Sequence, residues 1–216
     1  EVVGTTRYVY QSWSDGGAQS HLITVVSPAT LRADFGTEYE IVVTTRPPGI
    51  DVRVDGTLFP SPYAFWCPAV TTHTIDAPNP LTLPDTRITY LFWSDGGAQS
   101  HPVTCTAPRT YEATFLVEYL ITLATTPPGL NVTVDGAPAT APATFWCADG
   151  GTRTIGTMSP QTFGPVRHVF LSWSDGGAQS HPVTCTAPTT HTAAFAREYE
   201  MTVDTIPAAL QVEVDA

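Results

Sequence analysis

The sequence predicts an all-β protein made of tandem, small antiparallel β-sandwiches. Helix formers are scarce: 20 Pro and 16 Gly occur among 216 residues, and only 13% of the residues are charged. Short stretches alternate between apolar and polar residues, which is the period of a strand. A long sequence pattern also recurs along the chain, as expected for an array of similar units.

The recurring pattern is centred on the segment Ser-Trp-Ser-Asp-Gly-Gly-Ala-Gln-Ser-His. It occurs three times, once with Phe in place of the first Ser, and its tryptophans Trp13, Trp93 and Trp173 are 80 residues apart. Residues 93–119 and 173–199 are identical at 21 of 27 positions. A register without gaps indicates tandem duplication of a unit of about 80 residues.

The phase of the repeat predicts how the chain divides. If a unit starts at the recurring Glu-Tyr step, residues 38–117 and 118–197 are complete units. Residues 1–37 are then the back part of a repeat unit, and residues 198–216 are the front part of a following unit, so that the chain starts and stops within a unit. No Gly, Pro or Ser run interrupts Phe115–Ile121 at the junction. We therefore expect continuous strands between units and a stiff, rod-like array.

Each unit contains about seven short apolar-polar stretches, separated by turn signals. In the first complete unit the predicted strands are Tyr39–Thr45, Ile50–Val54, Tyr63–Cys67, Thr72–Ile75, Arg87–Trp93, His101–Cys105 and Thr110–Val117. Pro-Pro-Gly at 47–49, Asp-Gly at 55–56 and Asp-Gly-Gly at 95–97 supply turns. This spacing favours an immunoglobulin-like sandwich. Without a helix-length crossover a parallel sheet is not expected. An open β-grasp-like or barrel-like arrangement is the alternative.

The order of these motifs resembles a known group of repeats. Pro-Pro-Gly, Val-Asp-Gly, Ala-Thr-Phe, Trp-Ser-Asp-Gly-Gly and Thr-Ala-Ala-Phe follow one another as in the bacterial tandem domains described as divergent internalin B-repeats. The front part of the unit is also similar to PEGA-type modules. The resemblance covers essentially the whole chain. It implies an extracellular, non-enzymatic repeat in large surface or secreted bacterial proteins.

The four cysteines form two copies of one pair. Cys67 and Cys105 are 38 residues apart, and so are Cys147 and Cys185. The repeat favours one disulfide inside each complete unit, and Val25 stands at the corresponding position of the partial first unit. Disulfides imply an oxidising compartment. Free thiols and a metal site are the alternatives, although the pairs lack the CxxC spacing of zinc sites.

The recurring hairpin contains the residue types of a hydrolase. Its candidate residues are Trp13, Asp15, Trp93, Asp95, Trp173 and Asp175. A catalytic triad needs Ser, His and Asp to converge around a substrate. Here they lie within nine residues of one hairpin, three times over. The structural interpretation places Trp in the core, Asp-Gly-Gly in the turn and His on the following strand. Metal binding by His21, His101 or His181 would require several molecules to stack.

Two further tryptophans are candidates for contact or ligand binding. If Phe65 and Cys67 face the core, Trp66 points outward by the alternation of a strand, and Trp146 follows the same pattern. Packing at a unit junction and stacking on a surface glycan are both open. Acidic residues at the junctions could bind calcium, but the sequence has no DxDxDG run. These candidates are Asp34, Glu38, Asp55, Glu118, Asp135 and Glu198.

The charge and composition exclude several classes of function. A net charge of -11 disfavours nucleic acid as a partner, and the chain has no lysine for Schiff-base chemistry. No apolar stretch is long enough to span a membrane, and no cofactor is expected.

We expect a structural extracellular or cell-surface protein, a filament subunit or the stalk of a larger protein, whose partners are neighbouring repeats or subunits. An adhesin or carbohydrate-binding module is the alternative, and an enzyme is not expected.

Overall fold

The computed structural model describes residues 1–78, 82–206, 211 and 213. Every regular element in this part of the chain is a β-strand, so the all-β prediction is confirmed. Part of the predicted C-terminal front segment, namely residues 207–210, 212 and 214–216, lies outside the described residues.

The chain divides into two compact units. Unit 1 comprises Glu1–Thr82 and Arg87–Leu116, and unit 2 comprises Leu83–Thr86 and Val117–Ala216. The strands that begin in unit 1 or at its boundary are β1 (Val2–Val3), β2 (Thr6–Trp13), β3 (Ala33–Arg46), β4 (Val52–Val54), β5 (Thr57–Phe59), β6 (Tyr63–Pro68), β7 (Thr72–Asp76), β8 (Thr82–Leu83), β9 (Thr86–Trp93), β10 (Ser100–Thr104) and β11 (Arg109–Thr126). The continuous strand predicted across 115–121 is the central part of β11.

Unit 1 contains two groups of hydrogen-bonded strands. One is a four-stranded antiparallel sheet in the order β10-β7-β4-β5. In the other, the first half of β3 pairs with β2, and its second half pairs with β6 and β11. Strand β9 pairs with β11. Both groups contribute to one buried apolar cluster that includes Val43 and Tyr111 from the second group and Val52, Ile75 and Val103 from the first.

The β4–β5 hairpin shows why Asp-Gly recurs in the repeat. Asp55 and Gly56 have φ angles of 49° and 80°, as a tight two-residue hairpin turn requires. The carboxylate of Asp55 also accepts a hydrogen bond of 2.8 Å from the backbone N–H of Thr74 on β7. The turn thereby also binds the next strand of the sheet. Asp135 and Gly136 repeat this geometry in unit 2, with φ angles of 50° and 81°.

Unit 2 repeats the strand order of the complete part of unit 1. Its further strands are β12 (Asn131–Val134), β13 (Ala137–Thr140), β14 (Ala143–Ala148), β15 (Thr152–Thr157), β16 (Gln161–Phe163), β17 (Val166–Trp173), β18 (Ser180–Thr184) and β19 (Thr189–Tyr199). One sheet has the order β13-β12-β15-β18. The second half of β11 pairs with β14 and β19, and β19 pairs with β17. Leu123, Val132, Ile155 and Trp173 belong to its main buried cluster.

One pairing in each unit contradicts the expectation of wholly antiparallel sheets. Residues 41–46 of β3 run parallel to residues 109–114 of β11, and residues 121–126 of β11 run parallel to residues 189–194 of β19. Parallel neighbours need a long crossover connection. Here the crossover is made of the intervening strands rather than a helix, so the absence of a predicted helix did not exclude it.

Both expected disulfides are present. Cys67 on β6 is bonded to Cys105, which directly follows β10, and Cys147 on β14 is bonded to Cys185 after β18. The Cα atoms of each pair are 6.1 Å apart, and all four residues are almost completely buried. Because β6 and β10 belong to different sheets, each bridge joins the two sheets of its unit.

Removal of the second bridge should loosen unit 2 selectively. The bridge closes a separation of 38 residues, so the chain-entropy model gives it about 4 kcal/mol. In a Cys147→Ser/Cys185→Ser variant we expect backbone amides of β12 and β15 to exchange faster by roughly the factor corresponding to that energy. The matched amides of β4 and β7 serve as the internal control. Equal protection of unit 2 with and without the bridge would contradict this expectation.

Candidate functional site

The three copies of the recurring hairpin are the strongest candidate site. One copy follows β2, one connects β9 to β10, and one connects β17 to β18. In all three copies the backbone N–H of the first Gly of the Gly-Gly pair donates to the carbonyl of the preceding Trp, at 2.9 or 3.0 Å. The geometry of the site therefore starts from a tight turn immediately after a tryptophan.

The tryptophan anchors the hairpin in the core. Trp93 is only 1% exposed, and its indole N–H donates to the carbonyl of Gln99 at 2.9 Å. Trp173 is equally buried and donates to the carbonyl of Gln179 at 3.1 Å. Trp13 makes the same bond at 3.2 Å but is only partly buried. The indole thus closes the loop through its one donor while its rings fill the core.

The aspartate and histidine of each copy form a clasp across the turn. Asp95 Oδ1 accepts the backbone N–H of Gly97 at 3.0 Å, and its Oδ2 lies 3.0 Å from Nε2 of His101. Nδ1 of His101 lies 2.6 Å from the carbonyl oxygen of Ala98. Both ring nitrogens therefore face acceptors. The first copy has the same arrangement, with Nδ1 of His21 2.7 Å from the carbonyl oxygen of Ala18 and Nε2 of His21 2.9 Å from Oδ2 of Asp15.

The second glycine of the turn is required by the histidine. A Cβ added at Gly97 would lie 2.4 Å from Nε2 of the His101 ring, and the same overlap occurs at Gly17 and Gly177. The preceding residue Gly96 has a φ angle of 78°, which L-residues rarely adopt. The two glycines thus have different roles: one makes the turn, and the other makes room for the ring.

The first copy shows the electrostatic consequence of the clasp. The backbone N–H of Gly17 and the His21 ring lower the pKa of the Asp15 carboxyl. Asp15, and then the carbonyl of Ala18, raise the pKa of His21. Both shifts favour the charged pair. Asp15 is exposed and His21 is only half-buried in this copy, so water screens the attraction.

The serine that directly follows each tryptophan of the motif is engaged elsewhere. Ser94 Oγ accepts the backbone N–H of Glu112 on β11 at 3.0 Å, and Ser174 Oγ accepts that of Thr192 on β19 at 3.0 Å. Asp and His are therefore brought together, but these Ser hydroxyls bind the neighbouring strand instead of the imidazole. The arrangement can stabilise a turn and attach it to the sheet, whereas a nucleophile needs an adjacent base.

Sequence reasoning missed two parts of this network. His191 Nδ1 lies 3.0 Å from Asp175 Oδ2, so that Asp175 faces two histidines. The side-chain amide of Gln99 donates to the carbonyl of Ala77 at 2.7 Å, and Gln179 repeats this bond to Thr157 at 2.9 Å. The recurrence of Gln in the motif was the available signal for the bonds of Gln99 and Gln179. The contact of His191 with Asp175 depends on β19, which lies further along the chain, and no local sequence pattern indicates it.

The tryptophan after Phe65 is half-buried rather than freely exposed. The guanidinium of Arg7 lies 4.9 Å from the centroid of the Trp66 ring and also forms an ion pair with Glu38. Such stacking is a cation–π contact. The Arg7 guanidinium therefore covers one face of the Trp66 ring. Trp146, its counterpart on β14, is also half-buried.

Most of the proposed calcium-binding carboxylates form ion pairs within their units. Asp34 pairs with Arg32 at 2.9 Å, and Asp135 pairs with Arg153 at 2.7 Å. Within the described ranges, one group of three potential metal ligands lies close together, namely Cys67, His73 and Cys105. Its two sulfur atoms are bonded to each other. His73 itself lies 2.7 Å from a carboxylate oxygen of Asp55.

Comparison with known proteins identifies no relative. No family model, no curated protein and no solved structure matches the chain. In the part of the chain that the structure describes, no helix is long and apolar enough to cross a membrane.

We expect Gly97→Ala to destabilise unit 1 through contact with the His101 ring. The added methyl group cannot be accommodated without moving that ring, and overpacking of this kind costs about 1–3 kcal/mol. In a His101→Ala background the same substitution should cost much less. Chemical denaturation of the wild type, both single variants and the double variant measures this difference. An equal cost in both backgrounds would show that the ring is not what excludes a side chain.

The protonation of His21 gives a pH-dependent prediction. Its pKa is raised by Asp15, so the stabilisation is fully present below about pH 6.5 and is lost as the pH rises through the folded-state pKa. The pKa of Asp15 is lowered, so its contribution is lost as the pH falls through that lowered value. NMR titration should place the His21 pKa above its ordinary value, and Asp15→Asn should return it toward that value. A His21 pKa unchanged by Asp15→Asn would contradict the clasp.

Proposed function

We propose that the chain is a structural protein that acts outside the cell, as a filament subunit or as the stalk of a larger surface protein. In this proposal each 80-residue unit is an immunoglobulin-like sandwich whose sheets are held together by a disulfide. The observation that carries the proposal is the pair of buried bridges. Each joins a strand of one sheet to the residue that directly follows a strand of the other sheet, at repeat-equivalent positions. Disulfides of this kind persist in oxidising compartments.

The use of polar groups inside the units supports a mechanical role. In the hairpin, Trp93, Asp95 and His101 direct their hydrogen bonds to the turn itself. Ser94 attaches the same turn to β11. A catalytic site would instead direct some of these groups toward a substrate. The motif that the repeat preserves most closely is therefore accounted for by stability of the fold.

The strand that crosses the unit boundary also supports this role. β11 is 18 residues long and supplies both units with a strand. A continuous strand leaves no flexible segment of the Gly-Ser type at this point. Force applied along the chain would reach both units through backbone that is already extended and hydrogen-bonded.

Single-molecule pulling tests the proposal directly. The chain is placed in series with a small helical-bundle domain, and we expect the helical domain to unfold first. Each intact disulfide should withhold its 38-residue loop, which is about 130 Å of extended chain. The Cys147→Ser/Cys185→Ser variant should release only one such increment more than the wild type, and reductant should release two.

The same preparation separates the structural function from glycan binding. Unfolding of the chain before the helical domain would contradict a mechanical role. Specific retention on a glycan array, lost in Trp66→Ala, would favour the carbohydrate-binding alternative. We expect no such retention, because Arg7 covers one face of the Trp66 ring.

A further inference from the structure

We propose that unit 1 becomes a site for a thiophilic divalent cation such as Zn²⁺ when its disulfide is reduced, with Cys67, Cys105 and His73 as the ligands. The site goes beyond the proposed structural function and is independent of it, because it exists only in the reduced chain. Its ligands come from three segments of the unit: Cys67 from β6, His73 from β7 and Cys105 from the position directly after β10.

The ligand atoms of this site already lie close together. The two sulfur atoms and one ring nitrogen of His73 are all within 4.8 Å of one another. Zinc binds sulfur at about 2.3 Å and nitrogen at about 2.0–2.1 Å, so the sulfur and nitrogen atoms around one tetrahedral ion are about 3.5–3.8 Å apart. Once the bond between the sulfur atoms is broken, rotation about the Cα–Cβ bonds can bring the three atoms to that separation.

His73 is held as a metal-binding histidine usually is. Its Nδ1 lies 2.7 Å from Oδ2 of Asp55, and Oδ1 of the same carboxylate accepts the backbone N–H of Thr74 at 2.8 Å. Metal-binding histidines generally donate their other ring N–H to a carboxylate, carbonyl or water, which fixes the tautomer and the orientation of the ring. With Nδ1 engaged by Asp55, Nε2 of His73 is the nitrogen left to bind a metal.

The histidine also gives the site a route to solvent. Cys67 and Cys105 are 0% and 1% exposed, whereas the side chain of His73 is 25% exposed. A cation that approaches from this side meets the imidazole first. Water can occupy the fourth position of a tetrahedral ion there, as it does in zinc sites with three protein ligands.

Unit 2 has an arginine where unit 1 has the histidine ligand. Its cysteines Cys147 and Cys185 are equivalent to those of unit 1, but Arg153 stands at the position of His73. Arg153 donates to Oδ2 of Asp135 at 2.7 Å, so the ion pair with this aspartate does not itself require a histidine. A guanidinium has no lone pair to offer a metal. The two units therefore differ at the one residue that completes the ligand set.

The change from bridge to metal site balances with a dithiol as the reductant. The dithiol passes two electrons and two protons to the bridge and becomes a disulfide itself, while Cys67 and Cys105 become thiols. When Zn²⁺ binds, the two thiol protons pass to solvent, and the oxidation state of the metal does not change. The two thiolates cancel the 2+ charge of the ion, so a nearly buried site acquires no net charge.

Such a site would keep the two sheets of unit 1 joined in a reduced chain. Cys67 is on β6, whereas His73 is on β7 and Cys105 follows β10, which are paired strands of the other sheet. A metal that binds the folded chain better than the unfolded chain stabilises the folded state. The cation would thus take the place of the disulfide until the chain is oxidised.

Titration with Co²⁺ tests the site, because cobalt–thiolate bonds absorb light and those of Zn²⁺ are colourless. The Cys147→Ser/Cys185→Ser variant keeps only the cysteines of unit 1. It is reduced with dithiothreitol, freed of the reductant without access of oxygen and titrated. We expect one equivalent of Co²⁺ to bind with a near-ultraviolet thiolate band and the visible bands of tetrahedral cobalt, and Zn²⁺ to abolish both. The oxidised wild type should show neither, since all of its cysteines are in disulfides.

Exchange of one side chain between the units tests the histidine. His73→Arg in the first variant should weaken Co²⁺ binding at least about tenfold, because even the loss of a ligand's outer hydrogen-bond partner has an effect of that size. The matched control is Cys67→Ser/Cys105→Ser, which keeps only the cysteines of unit 2 and should bind weakly. Arg153→His in that control should strengthen binding at least about tenfold.

The titration is decisive whether or not the reduced variant is folded beforehand, because metal binding and folding are coupled. Absence of the cobalt–thiolate band from the reduced Cys147→Ser/Cys185→Ser variant would overturn the site, and so would equal Co²⁺ affinity within each histidine–arginine pair. An oxidised wild type that binds Co²⁺ as tightly as the reduced variant would also overturn it. None of these results changes which domain unfolds first when the oxidised chain is pulled, so the structural function is tested separately.

Discussion

The structure of each unit depends on joining two small sheets around a core that few side chains can fill. Unit 1 does this with a cluster that includes Val43, Val52 and Ile75, and with the Cys67–Cys105 bridge between β6 and the end of β10. Small domains bury a limited fraction of their surface and therefore often need covalent reinforcement. The bridge supplies it at the place where the two sheets would otherwise separate.

The recurring hairpin is a second device with the same purpose. Its tryptophan lies in the core, and its aspartate and histidine hold the turn from outside. In the first copy the clasp is best formed when the pair is charged, because both nitrogens of His21 face acceptors and Asp15 raises the pKa of His21. A motif with the composition of a catalytic site thus stabilises a loop. Residue types alone cannot distinguish these two uses, since the difference lies in where the serine hydroxyls and the imidazole point.

The sequence by itself determined the all-β class, the 80-residue period, the Cys pairs and the Asp-Gly turn at Asp55, because alternation, turn chemistry and duplication are local or periodic signals. It did not reveal the short strand β5, since three residues carry too little alternation. Only the tertiary structure decided the parallel pairing of β3 with β11 and the contact of His191 with Asp175. Both depend on which strands become neighbours, and that choice is made by packing of the whole unit.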